Sequence, residues 1–156
     1  MADIVSPKVR SRMMAGIRGK DTAPELTLRS GLHRLGFRFR LHDRNLPGRP
    51  DLVFPARRAA IFVHGCFWHG HSCPLFKWPS SRVDFWRNKI EGNRARDETA
   101  MVHLKAKGWR ALTVWECALK GKNRLPVGQV IERAAAWLTS GRHNLVIRGR
   151  NHGSSR

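Results

Sequence analysis

Acidic residues, cysteines and long apolar runs are all scarce in this sequence. The absence of any run of about 18 apolar residues excludes a membrane-spanning helix on hydropathy grounds. The first residues, MADIVSPKVRSRMM, lack the apolar stretch of a signal peptide, so we expect a cytosolic protein that does not enter membranes. Three cysteines are an odd number, which argues against a disulfide framework and leaves metal binding or buried thiols.

The charge balance is the first indication of a partner. The chain has 30 Lys and Arg against 11 Asp and Glu, a formal net charge of +19. Such self-repulsion favours a polyanionic partner, with nucleic acid first and a solvated basic surface or ribosome association as the alternatives. The 156 residues fit one domain, which we place at residues 21–140 between a basic N-terminal arm (1–20) and a basic, flexible tail (141–156) that lacks acidic residues.

The hydrophobic pattern predicts an α/β fold. Its elements run helix, three strands, helix, strand, helix, which is typical of a mixed sheet flanked by helices. The predicted elements are a helix capped by Asp21 or Thr22, a strand at Phe37–Leu41, a hairpin of DLVF and AAIFV, a helix in one or two pieces that begins at a Ser81–Asp84 capping box, a strand at Trp109–Trp115, and a helix that ends before Gly141.

The segment HGCFWHGHSCP, residues 64–74, is rich in metal-binding side chains. His71 and Cys73 lie on one short loop, and Cys117 follows a predicted strand. Zn²⁺ in a structural site takes four such ligands in a tetrahedron. The residues alone leave the fourth ligand open among Cys66, His69, Asp97 and His103, and the alternative is a set of buried thiols with polar histidines.

Two further residue types are suited to chemistry on phosphate. Asp51 opens an apolar strand, and a carboxylate at a sheet edge can hold Mg²⁺ against phosphate oxygens, although many such aspartates are only turn residues. His64 and His69 can act as bases near neutral pH, or can be ligands or hydrogen-bonded polar groups.

Aromatic residues among arginines and lysines indicate contact with bases. Phe67, Trp68 and Trp86 can stack on bases or wedge between them, whereas the alternative is a core cluster. Residues 8–20 can form a basic helix in which Met14 is either a probe of the DNA or a core residue.

Four stretches together resemble the very short patch repair (Vsr) endonucleases. They are LPGRPDLVF, IFVHGCFWHGHSCPLFK, FWRNKIEGNRARD and GWRALTVWECAL, and the resemblance runs from about Arg10 to the last helix. It implies a restriction-endonuclease-like fold, a variant of the PD-(D/E)xK nucleases, with a structural zinc. It also implies Mg²⁺-dependent nicking of double-stranded DNA 5′ to the thymine of a T:G mismatch that arises from 5-methylcytosine deamination. The expected protein is a monomeric, cytoplasmic, nucleoid-associated bacterial endonuclease, with mismatch-repair proteins as candidate partners.

The resemblance also implies roles for individual residues. The catalytic set is Asp51 and the main-chain carbonyl of Val63 as Mg²⁺ ligands, His69 as general base, His64 as its support, and Glu25 nearby through water. The implied zinc ligands are His71, Cys73, Asp97 and Cys117. The implied DNA contacts are Phe67, Trp68 and Trp86 from the major groove and Met14 from the minor groove.

Two positions depart from the family pattern. Val63 stands where members usually carry Thr, which leaves a carbonyl ligand intact but rules out a hydroxyl ligand. Gly70 replaces a histidine that is common in relatives. The alternative function is a non-catalytic, zinc-stabilised nucleic-acid-binding module; a zinc deaminase fits poorly because its H-x-E and P-C-x-x-C motifs are absent.

Overall fold

The computed structural model describes residues 22–150, and the predicted N-terminal arm with Met14 lies outside this range. In the described part, three α-helices and five strands follow one another along the chain. Their bounds are α1 Ala23–Arg34, β1 Arg40–Leu41, β2 Leu52–Phe54, β3 Ala59–His64, α2 Val83–Ala106, β4 Arg110–Trp115, α3 Val127–Thr139 and β5 Leu145–Ile147. None of these helices has the length and apolar character needed to cross a bilayer.

The five strands form one mixed sheet in the order β1-β2-β3-β4-β5. The first three strands are antiparallel neighbours, whereas β3, β4 and β5 run parallel. The predicted α/β fold with a mixed sheet is therefore confirmed, and so is the hairpin of DLVF and AAIFV, in which Leu52 pairs with Ile61.

Side-chain alternation along β3 divides the core between the two faces of the sheet. Ile61 belongs to the larger core, in which α1 and α3 pack together, with Leu28 and Trp137 among its buried members. Phe62 points to the opposite face and packs with Leu104 of α2. Because neighbouring strand residues face opposite sides, this one apolar run serves both cores.

The first helix begins as its sequence predicts. The Thr22 hydroxyl accepts a hydrogen bond from the main-chain N–H of Glu25 at 3.4 Å, and a proline lies in the first turn. Gly36 follows the helix with φ of +97°, a conformation that glycine adopts without steric cost.

Two predicted element boundaries are wrong. Only Arg40–Leu41 of the expected strand over residues 37–41 pairs with a neighbour, since Phe37 and Phe39 turn into the larger core instead. Helix α2 is one continuous helix, and its N-cap is Arg82, at φ of +53°, without any side-chain cap hydrogen bond. The predicted Ser81–Asp84 capping box does not form.

Part of the chain beyond the expected domain end at residue 140 joins the sheet, while the division into domains stays a prediction. Residues 145–147 form β5, which pairs with β4, and Ile147 is fully buried in the larger core. A run of three apolar residues between arginines and glycines gives too weak a hydrophobic pattern to predict a strand.

The topology brings three strand ends to one edge of the sheet. Strand β2 begins where its antiparallel neighbour β3 ends, which places Asp51 beside Val63 and His64. Strand β4 runs parallel to β3, so Trp115 lies opposite His64 and Cys117 follows close by. This edge carries both polar clusters described next.

Candidate active site and metal cluster

Asp51 is held at the sheet edge by main-chain contacts. Its carboxylate Oδ2 accepts a hydrogen bond from the N–H of Val63 at 2.7 Å, and its own N–H donates to the carbonyl of Ile61 at 3.0 Å. Burial raises the pKa of Asp51 to about 7, against the hydrogen bond from Val63, and the nearby Glu25 raises it further. Burial disfavours the ionised form of this carboxyl group, and a bound cation would offset that cost. Asp51 is therefore a suitable metal ligand.

Glu25 and His42 lie next to Asp51. The buried Glu25 carboxylate accepts hydrogen bonds through Oε2 from Arg29 at 3.1 Å and pairs with Nε2 of His42 at 2.6 Å. The main-chain N–H of His42 donates to the Asp51 carbonyl at 3.0 Å, and ligand atoms of Glu25, His42 and Asp51 lie within 4.8 Å of one another. Sequence reasoning placed Glu25 near Asp51 but missed His42, which follows β1 without any motif that would mark it.

His69 is paired with an acidic side chain. Its Nδ1 lies 2.6 Å from Oδ2 of Asp97. Since an ionised carboxylate only accepts hydrogen bonds, Nδ1 carries the proton and Nε2 is left as the proton-accepting atom. The pair has the geometry of a general base with an orienting carboxylate.

His64 supports His69 as a neutral ring. The two imidazoles stack with centroids 3.9 Å apart and planes inclined by 6°. Burial lowers the pKa of His64 to about 3, and the neighbouring His69 lowers it further, so His64 is uncharged at neutral pH.

Asp51 and His69 open onto the same cleft. The cleft has a volume of about 580 Å³, and its walls include Val63, His64 and Asp97 together with Arg44 and Arg49. A neighbouring depression of about 590 Å³ shares His69 and Asp97 and adds Arg96 and His103. The acidic and imidazole groups therefore sit in a concave surface with cationic side chains beside it, as a site for a phosphodiester requires.

The second cluster consists of Cys66, His71, Cys73 and Cys117. The Sγ atoms of Cys66 and Cys117 each lie 3.6 Å from Nδ1 of His71. Tetrahedral zinc with ordinary Zn–S and Zn–N bonds separates such atoms by about 3.5 Å. The cluster therefore has the donor types and spacing of a closed, four-ligand zinc site.

The structure places one of the four implied zinc ligands apart from the other three. That residue is Asp97, whose carboxylate is engaged with His69. Cys66, at the turn that directly follows β3, lies with His71, Cys73 and Cys117 instead. Cys66 was one of the four alternatives that the residues alone left open, and the HGC spacing next to a strand end was the available signal.

The three thiols differ strongly in acidity. Hydrogen bonds lower the pKa of Cys117 to about 4, above all the bond from Cys66, with others from His71 and from the N–H of Gly149, which lies 3.3 Å from the sulfur. The same Cys117 contact and burial raise the pKa of Cys66, and burial raises that of Cys73. A bound metal would stabilise all three cysteines as thiolates.

Neighbouring side chains fix the ligand loop. The His71 ring stacks on Trp115 at 4.0 Å and 8°, and the Glu116 carboxylate accepts a hydrogen bond from the N–H of Cys66 at 3.0 Å. Gly70 has φ of +60°, and a Cβ there would lie 2.7 Å from Ile90 and Arg94. The glycine that departs from the family pattern thus sits where the chain packs tightly on α2.

The three predicted wedge residues lie together. Phe67, Trp68 and Trp86 contact one another with ring centroids 5.2–5.7 Å apart, and all three are half-buried. Asn93 donates to the carbonyl of Trp68 at 2.7 Å, which ties the cluster to α2 beside His69. We call these three rings the wedge; Met14, its expected counterpart, lies outside the described residues.

Comparison with known proteins identifies relatives. The family model described as DNA mismatch endonuclease Vsr matches residues 2–75. The chain is 46% identical to the DNA mismatch endonuclease Vsr of Escherichia coli over 138 residues, which cover 88% of each chain. It is 54% identical to the type II nicking enzyme V.XorIIP of Xanthomonas oryzae over 119 residues, 76% of this chain and 88% of the relative. A third relative, the type II nicking enzyme V.NmeAIP of Neisseria meningitidis, is 42% identical over 78% of this chain and 87% of its own.

Proposed function

Because this chain belongs to the Vsr family of DNA mismatch endonucleases, we propose that it nicks one strand of duplex DNA 5′ to the thymine of a T:G mismatch, with Mg²⁺ as the catalytic cofactor. The chain is a DNA endonuclease of very short patch repair that nicks its substrate. The proposal adds the metal, the mismatch left by 5-methylcytosine deamination, and the residues that act. The observation that carries it is that Asp51 and His69 line one cleft.

The proposed metal site is built on Asp51. Its carboxylate and the main-chain carbonyl of Val63 hold Mg²⁺, with Glu25 and His42 next to Asp51 as the supporting pair. Bound Mg²⁺ neutralises charge on the phosphate and favours the ionised form of a coordinated water. A main-chain carbonyl is present whether residue 63 is Thr or Val. The loss of the hydroxyl group at this position is therefore compatible with the proposed metal site.

His69 handles the proton in this proposal. Its Nε2 takes the proton from the attacking water, and Asp97 keeps the ring in the required tautomer and stabilises it once charged. His64 stacks on the same ring and excludes water from that side. Arg49 and Arg96, which flank the cleft and the neighbouring depression, bind the phosphates on either side of the scissile one.

The cysteine cluster is proposed to hold a structural zinc. Cys66, His71, Cys73 and Cys117 supply all four ligands, so the ion keeps no open position for chemistry. The zinc pins both ends of the segment that carries Phe67, Trp68 and His69. We assign the chain to the restriction-endonuclease-like fold, as a variant of the PD-(D/E)xK nucleases, on the α/β sheet with Asp51 at its edge.

The wedge is proposed to supply mismatch selectivity. Phe67, Trp68 and Trp86 enter from the major groove, and Met14 enters from the minor groove. A G·T pair costs less to unstack than a matched pair, so insertion favours the mismatch. Half-burial of three rings in contact is consistent with a surface that can accept a base step.

Nicking of an end-labelled T:G duplex tests the proposal. In Mg²⁺ we expect one product, cut 5′ to the thymine, with no cut in the opposite strand or in a matched T:A duplex. A panel of T:G duplexes with varied neighbours is needed because flanking bases affect recognition. Binding without nicking across the whole panel would instead favour the non-catalytic module. A monomeric state, a location in the cytoplasm near the nucleoid, and mismatch-repair partners stay predictions.

A further inference from the structure

Three aromatic rings outside the wedge continue it across the surface. Phe76 packs on Phe67 with centroids 5.9 Å apart, and Trp78 packs on Phe76 at 4.9 Å. On the other side, Phe85 packs on Trp86 at 5.1 Å. The wedge is therefore the middle of a contiguous group of six rings.

The outermost rings are exposed. Trp78 is 39% exposed and Phe85 is 45% exposed. Exposed rings are costly in water unless a partner covers them, so these two ends of the six-ring group mark an interaction surface. We give the name rim to Phe76, Trp78 and Phe85 together with Arg82 and Arg87, which pack on two of these rings.

Each exposed ring carries a guanidinium on its face. The Arg87 guanidinium lies 4.9 Å from the centroid of Trp78, and that of Arg82 lies 4.3 Å from the centroid of Phe85. Stacking on a ring fixes a guanidinium in place while leaving its edge free to donate hydrogen bonds. Two arginines are thus held in fixed positions at the solvent boundary of the aromatic group.

The charge of this surface selects the partner. Between residues 77 and 89 there are four basic side chains and one acidic side chain, Asp84. A ring that packs on sugars beside a guanidinium that binds phosphate complements the backbone of duplex DNA. The rim also adjoins the wedge, so a duplex that the wedge enters would extend over it.

We propose that the rim is a second DNA contact, which binds the sugar-phosphate backbone flanking the mismatch and does not read the mismatch itself. This proposal rests on the proposed function, since it places the rim beside a duplex already engaged by the wedge. The wedge then determines preference for T:G over matched DNA, whereas the rim adds affinity for both.

The test is equilibrium binding of full-length protein to matched and T:G duplexes of equal length, by fluorescence anisotropy without Mg²⁺, over a range of NaCl concentrations. We expect Arg87→Gln to weaken binding to both duplexes by the same factor, about fivefold, and to reduce the salt slope by about 0.9, one phosphate contact. Trp78→Ala should weaken both equally, and Trp78→Phe should restore most of the affinity. Arg133→Gln on α3, which covers the opposite face of the sheet, is the charge-matched control and should leave the slope unchanged.

Three outcomes would overturn the rim as a backbone contact. Unchanged DNA affinity in Arg87→Gln and Trp78→Ala would assign the surface to a protein partner. A loss confined to T:G duplexes would make the rim part of the wedge. An equal loss in Arg133→Gln would reduce the effect to net charge. Because the readout is binding, absence of nicking on T:G DNA would count against the proposed function and leave the rim result standing.

Discussion

Two histidines separated by one residue in the chain belong to two different polar clusters. His71 lies with three cysteines, of which Cys66 is fully buried and Cys117 is 2% exposed. His69 lies with Asp97 and His64 at the wall of an open cleft. The first cluster is closed and rich in sulfur. The second, which we take together with Asp51 in the same cleft as the open cluster, consists of imidazoles and carboxylates. Structural metal sites are closed and catalytic ones keep open positions, so neighbouring residues here serve opposite requirements.

Trp115 separates the two clusters. The His71 ring lies flat on the indole at 4.0 Å, whereas His69 meets it edge-on at 6.2 Å. The indole therefore stacks on the His71 ring and provides an apolar surface beside the His69 ring. The same loop therefore packs into the closed cluster through His71 and lines the cleft through His69.

Among the variants of the two clusters, we expect Asp51→Ala in the open cluster to lower the nicking rate the most. Because no other described side chain replaces its carboxylate at the end of β3, we expect single-turnover nicking of T:G DNA in Mg²⁺ to fall by roughly a thousandfold or more. DNA affinity should stay within about twofold of the parent protein, since the wedge and the arginines are untouched. Normal cutting by this variant would remove Asp51 from the metal site.

Two variants, one in each cluster, test whether Cys66 or Asp97 belongs to the zinc site. Cys66→Ser should release the zinc and lower the melting temperature by about 10 °C or more, since a structural site contributes folding energy. Asp97→Asn should keep its zinc and slow nicking by roughly 10- to 100-fold, since it disturbs only the tautomer of His69. Zinc content by mass spectrometry and single-turnover nicking rates distinguish the two variants. Zinc loss in Asp97→Asn would indicate that Asp97 is a zinc ligand.

His42 tests how far the open cluster extends. We expect His42→Ala to slow nicking by about tenfold, because Glu25 loses its contact with His42 and the environment of Asp51 changes. His42→Gln should stay within about threefold, since an amide can still donate to the Glu25 carboxylate. Equal rates for the two variants and the parent protein would confine the cluster to Asp51 and its main-chain contacts.

The pKa of Asp51 predicts a modest effect on stability. Because the folded-state pKa is raised from 3.8 to about 7, the folded metal-free protein binds a proton more tightly than the unfolded chain does. Its stabilising contribution is present at low pH and is lost as the pH rises through 7. Asp51→Asn in metal-free protein should therefore raise the melting temperature at pH 8 by a few degrees and leave it nearly unchanged at pH 4, as measured by calorimetry.

Most of the fold could be predicted from the pattern of apolar residues. The hairpin, α1, α3 and the strand at residues 110–115 follow from strong periodicity or compact apolar runs. Strand β5 could not be predicted, because three apolar residues carry little signal and their pairing with β4 is decided by tertiary contacts. Helix α2 continues through Gly92, since packing on the sheet outweighs one unfavourable residue.

The candidate site was less predictable than the fold. Asp51, His64 and His69 stand out because metal-capable or titratable groups at strand ends are unusual. The choice between Cys66 and Asp97 as zinc ligand depends on which way a residue in the middle of α2 points relative to a loop 30 residues earlier. Spacing along the chain carries no such information, and it gave no indication of His42 either.

The hydrogen bond from the Gly149 N–H to the Cys117 sulfur has a consequence for biosynthesis. A Cβ at residue 149 would lie 2.4 Å from the Cys117 carbonyl, so the chain closes directly over the sulfur there. On a ribosome, residue 149 emerges after every ligand has been exposed for some time. The contact between Gly149 and Cys117 can therefore form only after all four residues of the cysteine cluster have left the ribosome.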